Sequence, residues 1–259
     1  MENAKSYDLV TDDTSPESRQ ANWEVAFGLQ AVDGLRPSGY LRELAHAHIK
    51  GEKTYQEVGE ELSRYYHSHG QNGTQPRQEE ADEVSTAIYG ILADAAFRFD
   101  IPTLQNYHQR LFGTLDKKVY HPGEFRTVNL TKKEAVLGGK SVQYQDFGAI
   151  RASLEYDFAE EAAQNYLMLT AKERVARMTT FVARIWQVHP FYEGNTRTTA
   201  VFLEKYLMSM GYQIDNELLG NYAKEFRDAL VLANYTSIPD GIQADSSRLA
   251  EFIAKMMAQ

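Results

Sequence analysis

Apolar residues return at three- and four-residue intervals along most of the chain, a period that predicts helices rather than strands. Over residues 19–32 the recurring positions are Trp23, Ala26, Phe27, Gln30 and Ala31, and Asp33-Gly34 supplies a stop. Arg36-Pro37-Ser38-Gly39 reads as a turn. Two short helices follow over 40–50 and 55–66, with Gly51 ending the first and Thr54 capping the second. Further helices are expected over 83–98 and 103–112, separated by Asp100-Ile101-Pro102, and over 158–170, 171–188, 195–210, 216–234 and 246–257.

Two kinds of segment break this rhythm. Residues 125–130 and 141–144 carry alternating or β-forming side chains around Gly138-Gly139, which predicts a short β-hairpin. Residues 1–18 are polar and acidic and read as a flexible lead-in; residues 67–82, rich in Gly, Gln and Asn, read as a linker. His67 and His69 lie in that polar stretch without further ligands at metal spacing, and no role is assigned to them. The expected fold class is mainly α, with a three-helix module over 19–66 and a larger helical body with one hairpin over 83–259. Rossmann and barrel folds need more strands than this pattern holds.

Composition narrows the function classes. Hydrophobic residues make up 43% of the 259 and charged residues 24%, ordinary globular usage. No apolar run approaches the roughly 18 residues of a membrane span and the first residues lack a signal-peptide pattern, so a cytoplasmic location without a membrane partner is expected. The absence of cysteine removes disulfides, thiolate nucleophiles and cysteine-zinc sites. A net charge of -9 argues against direct nucleic-acid binding through phosphate neutralisation and favours a protein or small anion as partner. Oligomer formation stays open.

The densest chemistry lies in VHPFYEGNTRTTAVF, from Val188 to Phe202. The helix over 171–188 delivers His189 at its C-terminal end, Pro190 and Gly194 shape a loop, and Asn195 can cap the next helix. Backbone N–H groups at that helix start lack helical partners, so Gly194, Asn195, Thr196 and Arg197 form a candidate phosphate cradle. A neutral His189 beside it could take a proton from an attacking hydroxyl, and Glu193 could hold Mg²⁺ together with substrate phosphates. That combination fits phosphoryl or nucleotidyl transfer. The same residues also fit a packed histidine before an ordinary helix start, and spacing alone leaves both readings standing.

His189, Phe191, Glu193, Gly194, Asn195 and Arg197 match in register the signature of Fic proteins, H-x-F-x-[DE]-G-N-G-R-x-x-R, which this segment closely resembles. The resemblance covers roughly residues 83–235 and extends to a flap upstream of the motif. It implies a helical Fic core and transfer of a nucleoside monophosphate, most often AMP from ATP with Mg²⁺, onto a Ser, Thr or Tyr hydroxyl of a target protein. In that frame His189 is the general base, Glu193 the metal ligand, and Gly194, Asn195, Thr196 and Arg197 bind the nucleotide. Val128, Asn129 and Leu130 would register the target segment by strand addition. A Doc-like phosphotransferase and a catalytically weak nucleotide-binding module are the alternatives.

Two motif positions depart from the family. Thr196 stands for glycine, adding a hydroxyl near the phosphates, and Ala200 stands for a second arginine that in the family helps hold the outer phosphate and pairs with an inhibitory glutamate. The 19–66 module resembles the small antitoxin domain that carries that glutamate. Here Asp33-Gly34 occupies the place of Glu-Gly, and Leu29 that of Ser or Thr. Either both halves of the regulatory pair have eroded together, or Asp33 and Gly34 are only a helix end.

Overall fold

The computed structural model describes residues 15–69, 76–214 and 216–258. Helix α1, Pro16–Gly28, starts where Ser15 caps the Ser18 N–H at 3.2 Å and Pro16 fixes the first turn. It runs into a 3-10 turn, Leu29–Asp33, that Gly34 ends at φ 67°. Next come α2 (Gly39–Ile49), α3 (Tyr55–His69), α4 (Pro76–Ala93), α5 (Ile101–Phe112) and the short α6 (Lys117–Tyr120). After an irregular segment the chain forms α7 (Ile150–Ala162), α8 (Ala171–Val188), α9 (Asn195–Ser209), α10 (Asn216–Asn234) and α11 (Ser247–Met256).

One apolar core joins these helices. Trp23 and Leu29 near the N-terminus belong to the same buried cluster as Trp186 of α8, Phe202 of α9 and Phe226 of α10. Helix α1 packs on α4 and α10. Its approach to α10 is so close that a Cβ on Gly28 would stand 2.0 Å from the Gly220 carbonyl oxygen. Helix α9 is buried on every side from Asn195 to Leu207, so its N-terminus is fixed by packing all round. Helix α8 begins with a reciprocal capping box between Thr170 and Glu173. These two helices hold the motif loop between them.

Several boundaries differ from expectation. Helix α1 begins within the expected lead-in, whose residues 1–14 lie outside the described residues. Helix α3 continues to His69 and α4 begins at Pro76, so both ends of the 67–82 stretch are helical; residues 70–75 lie outside the described residues. The helix expected over 158–170 ends at Ala162 and starts at Ile150. Its buried stripe includes Asp157 and Glu161, which pair with Arg184 and Arg177 of α8, so apolar spacing alone shows only part of it.

The β-hairpin over 125–130 and 141–144 is not formed: among the described residues the only β pairing is an isolated bridge, Ser237 to Ile242. The two limbs do turn back on each other, since the Glu134 N–H donates to the Lys140 carbonyl at 2.9 Å around a 3-10 turn, Ala135–Leu137. The ladder is replaced by other partners. The buried Arg126 guanidinium donates to the carbonyls of Val128 (2.6 Å), His189 (2.8 Å), Val188 (3.3 Å) and Gln145, while the Gln145 N–H donates to Gln187 at the end of α8. The flap is therefore stapled to the motif loop as well as to itself, without a strand ladder. No helix among the described residues is long and apolar enough to cross a membrane.

Candidate active site

His189 ends α8 in the left-handed region, φ 48° and ψ 58°, a conformation non-glycine residues rarely hold without surrounding support. That support is visible. The Arg126 Nε donates to the His189 carbonyl, the Tyr144 ring stacks on the imidazole at 3.9 Å, and the Trp186 ring meets it edge-on at 5.3 Å. Nδ1 lies 3.2 Å from the Trp186 carbonyl, an acceptor only, so Nδ1 carries the proton and Nε2 is left as the acceptor. Burial, followed by the positive charges of Lys132, Arg126 and Arg227, pushes the imidazole down to about 3. The ring is neutral at physiological pH.

The loop after His189 is fixed by its own residues. Asn195 accepts from the Phe191 N–H at 2.9 Å and donates to the Phe191 carbonyl at 2.8 Å, closing the loop with one side chain. Gly194, rather than Asn195, is the N-cap of α9, at φ 73°. A Cβ there would lie 2.1 Å from the Phe112 ring. Phe191 is buried and stacks on His108 at 3.8 Å, while His108 Nε2 bonds the Glu193 carbonyl at 3.0 Å and its Nδ1 accepts from the Gly123 N–H. The Thr196 hydroxyl accepts from the Trp186 indole at 3.0 Å, a tie between α8 and α9.

Over the α9 N-terminus lies a cavity of about 410 Å³, lined by Asp33, Glu80, Arg77, Lys132, Glu193, Arg197 and Arg227 among others. Arg197 is 1% exposed. Its guanidinium donates to Gln30 at 3.1 Å and Glu80 at 2.7 Å, and meets Asp33 at 3.1 Å. The other Asp33 oxygen reaches Arg227 at 3.0 Å and Lys132 at 3.6 Å. Burial alone would raise the Asp33 carboxyl, but Arg197, Lys132 and Arg227 together outweigh it and hold it below the ordinary carboxylate range. The eroded-pair expectation is corrected in one respect: Ala200 is buried and offers no charge, yet Asp33 has found an arginine three residues earlier.

Glu193 is half-exposed and pairs with Lys132 at 3.6 Å. No group of three His, Asp or Glu suited to a metal occurs among the described residues. A single carboxylate beside bound phosphates is nevertheless a donor set that Mg²⁺ uses, with the substrate supplying further oxygens. Of the flap residues, Val128 and Asn129 are exposed and Leu130 is half-buried; Asn129 braces the flap base by accepting from the Phe147 N–H and donating to Asp146. Lys132, Glu80 and Arg126 carry no local sequence signal for the site. Arg227, in FRDALVLANY, is placed in it by α10, whereas Asn234 turns to the Ala183 and Leu230 carbonyls.

Residues 98–207 match the family model described as the Fic/DOC family. Over 76 residues the chain is 42% identical to the probable protein adenylyltransferase y4lH of Sinorhizobium fredii, and over 119 residues 29% identical to the protein adenylyltransferase VbhT of Bartonella schoenbuchensis. These matches take in 29% and 46% of this chain but only 38% and 23% of those relatives. The fold is similar to that of the N-terminal Fic domain of a VirB-translocated Bep effector protein from Bartonella quintana, solved with bound ADP. That likeness has a TM-score of 0.54 and 20% identity over 70% of this chain and 84% of that one.

Proposed function

The chain belongs to the Fic/DOC family through residues 98–207, and on that premise we propose that it transfers AMP from ATP to a side-chain hydroxyl of a target protein. The observation that carries this reading is the pairing of a neutral, Nε2-accepting His189 with the buried α9 N-terminus one loop away. The target hydroxyl gives its proton to Nε2 as its oxygen bonds the α-phosphorus; the bond from that phosphorus to the bridging oxygen breaks, and pyrophosphate leaves. The N–H groups of Asn195, Thr196 and Arg197, with the Arg197 guanidinium, face the charge that develops on the leaving phosphates. Glu193 would hold Mg²⁺, whose charge offsets that of the phosphates when bound.

Val128, Asn129 and Leu130 form the stretch on which an extended target segment would lie, and the Arg126 staple keeps that stretch in register with His189. Asp33, engaged with Arg197 where phosphate oxygens would bind, restrains the transferase from the N-terminal side. Incubation with ATP labelled at the α- or the γ-phosphate tests the reading: label reaches protein from the α position only. Label from γ alone points to phosphate transfer instead, and label from neither position, with Asp33→Ala as well as the unaltered chain, favours the weak nucleotide-binding module, to which Ala200 lends support.

A further inference from the structure

One carboxylate in the cavity is shared between three cations that come from three parts of the fold. Asp33 Oδ2 faces Arg197 of α9 at 3.1 Å; Oδ1 faces Arg227 of α10 at 3.0 Å and Lys132 of the flap at 3.6 Å. Arg197 has a donor to spare, because its buried Nε lacks a partner. One nitrogen from each of two guanidinium groups and an ammonium converge on one pair of oxygens, a donor arrangement that a terminal phosphate can take, and a phosphoryl group offers one oxygen more than the carboxylate.

We propose that Arg227 and Lys132, neither of which belongs to the motif, hold the outermost phosphate of a nucleoside triphosphate together with Arg197, at the place where the Asp33 carboxylate stands. The inference rests on the nucleotide-transfer reading of this cavity and assigns the phosphate-binding charge that Ala200 does not supply. Two features prepare Arg227 for that task. Its second nitrogen is held by Glu134 at 2.9 and 3.1 Å, which orients the fork, and only 12% of its side chain is exposed, so water competes weakly. Lys132 is more open, at 36%, and is the weaker of the two. Phosphate and Asp33 compete for the same cations, so triphosphate binding displaces Asp33.

The test is calorimetric titration of the full chain carrying Asp33→Ala with ATP, ADP and AMP in the presence of Mg²⁺. Arg227→Gln lowers the ratio of ATP to AMP affinity by about tenfold or more, Lys132→Gln lowers it less, and AMP affinity itself moves little. Lys224→Gln, on the exposed side of the same helix, leaves the ratio unchanged. Because Arg227→Gln strands the buried Glu134, Arg227→Gln with Glu134→Gln is measured beside it, and Arg227→Lys keeps the charge while losing the fork; both lower the ratio. An unchanged ratio in any folded Arg227 variant overturns the proposal, as does a failure of both ATP and AMP to bind. A ratio that responds to Arg227 in a protein that never transfers α-label supports this phosphate seat while removing the transferase reading. Transfer with a ratio indifferent to Arg227 does the reverse.

Discussion

The Asp33 carboxylate lies 3.1 Å from the Arg197 guanidinium, although one ends a 3-10 turn near the N-terminus and the other sits in the first turn of α9. The contact sets a negative charge supplied by the chain itself against the first turn of α9, the proposed phosphate cradle. Glu80 of α4 meets the same guanidinium nitrogen at 2.7 Å.

Removing that charge opens the site. Asp33→Ala is expected to raise ATP affinity by about 5- to 150-fold, the range of an ordinary coupling free energy of about 1–3 kcal/mol. Calorimetric titration of the two proteins checks it. Equal affinities show that Asp33 is only a helix end.

The Arg126 staple predicts a localised loss of order. Arg126→Lys keeps a charge but cannot reach four carbonyls from one planar group, so amide hydrogen exchange across residues 127–146 speeds up by about tenfold while α9 stays protected. Unchanged exchange in the flap contradicts the staple.

At Gly194 both the backbone angle and the space exclude a side chain. Gly194→Ala places a methyl against the Phe112 ring and strains a positive φ, costing about 2–4 kcal/mol in stability. Thermal or urea unfolding measures it, and a loss under about 1 kcal/mol shows that the loop can shift.

The pH dependence separates two buried groups. With His189 pushed down to about 3 from an ordinary 6.5, the acidic limb of the transfer rate set by this base falls far below neutrality; a limb near 6.5 shows an exposed imidazole. For stability, His189 and His108 (down to about 4) act in one direction: their contribution is whole above about 6.5 and is lost as pH falls, because the unfolded chain takes up their protons first. Glu204 acts in the other. Burial, with Oε2 unpartnered, pushes its carboxyl up to about 8, so its contribution is whole below about 4.5 and is lost as pH rises through 8. Glu204→Gln therefore loses less stability than the unaltered chain between about pH 5 and about pH 8, read as melting temperatures; equal losses contradict a protonated Glu204.

The helices around the site were legible because their signals are local. The Thr170–Glu173 capping box, the apolar period of α8, and Pro190 and Gly194 in the loop all act within a turn or two of chain. The motif spacing set His189 at the end of α8 and Arg197 in the first turn of α9, with Glu193 in the loop between them. The flap was misread because its ties are remote: Arg126, within it, reaches the Val188 and His189 carbonyls, and the Gln145 N–H donates to Gln187, in place of a ladder that a hairpin would have made internally. The cation set was hidden for the same reason, since Lys132, Arg197 and Arg227 converge only after α1 has packed on α10. The Trp186 indole that bonds the Thr196 hydroxyl is ten residues earlier in the chain and gives no local signal.

The general base is the centre of the mechanism, and one measurement reaches it directly: transfer of label from α-labelled ATP to protein by the Asp33→Ala chain, with and without His189→Ala. Transfer by Asp33→Ala that disappears with His189→Ala, in a protein whose ATP affinity is unchanged, is the outcome that a proton-accepting His189 requires. Transfer that persists without the imidazole places the base elsewhere and contradicts the mechanism.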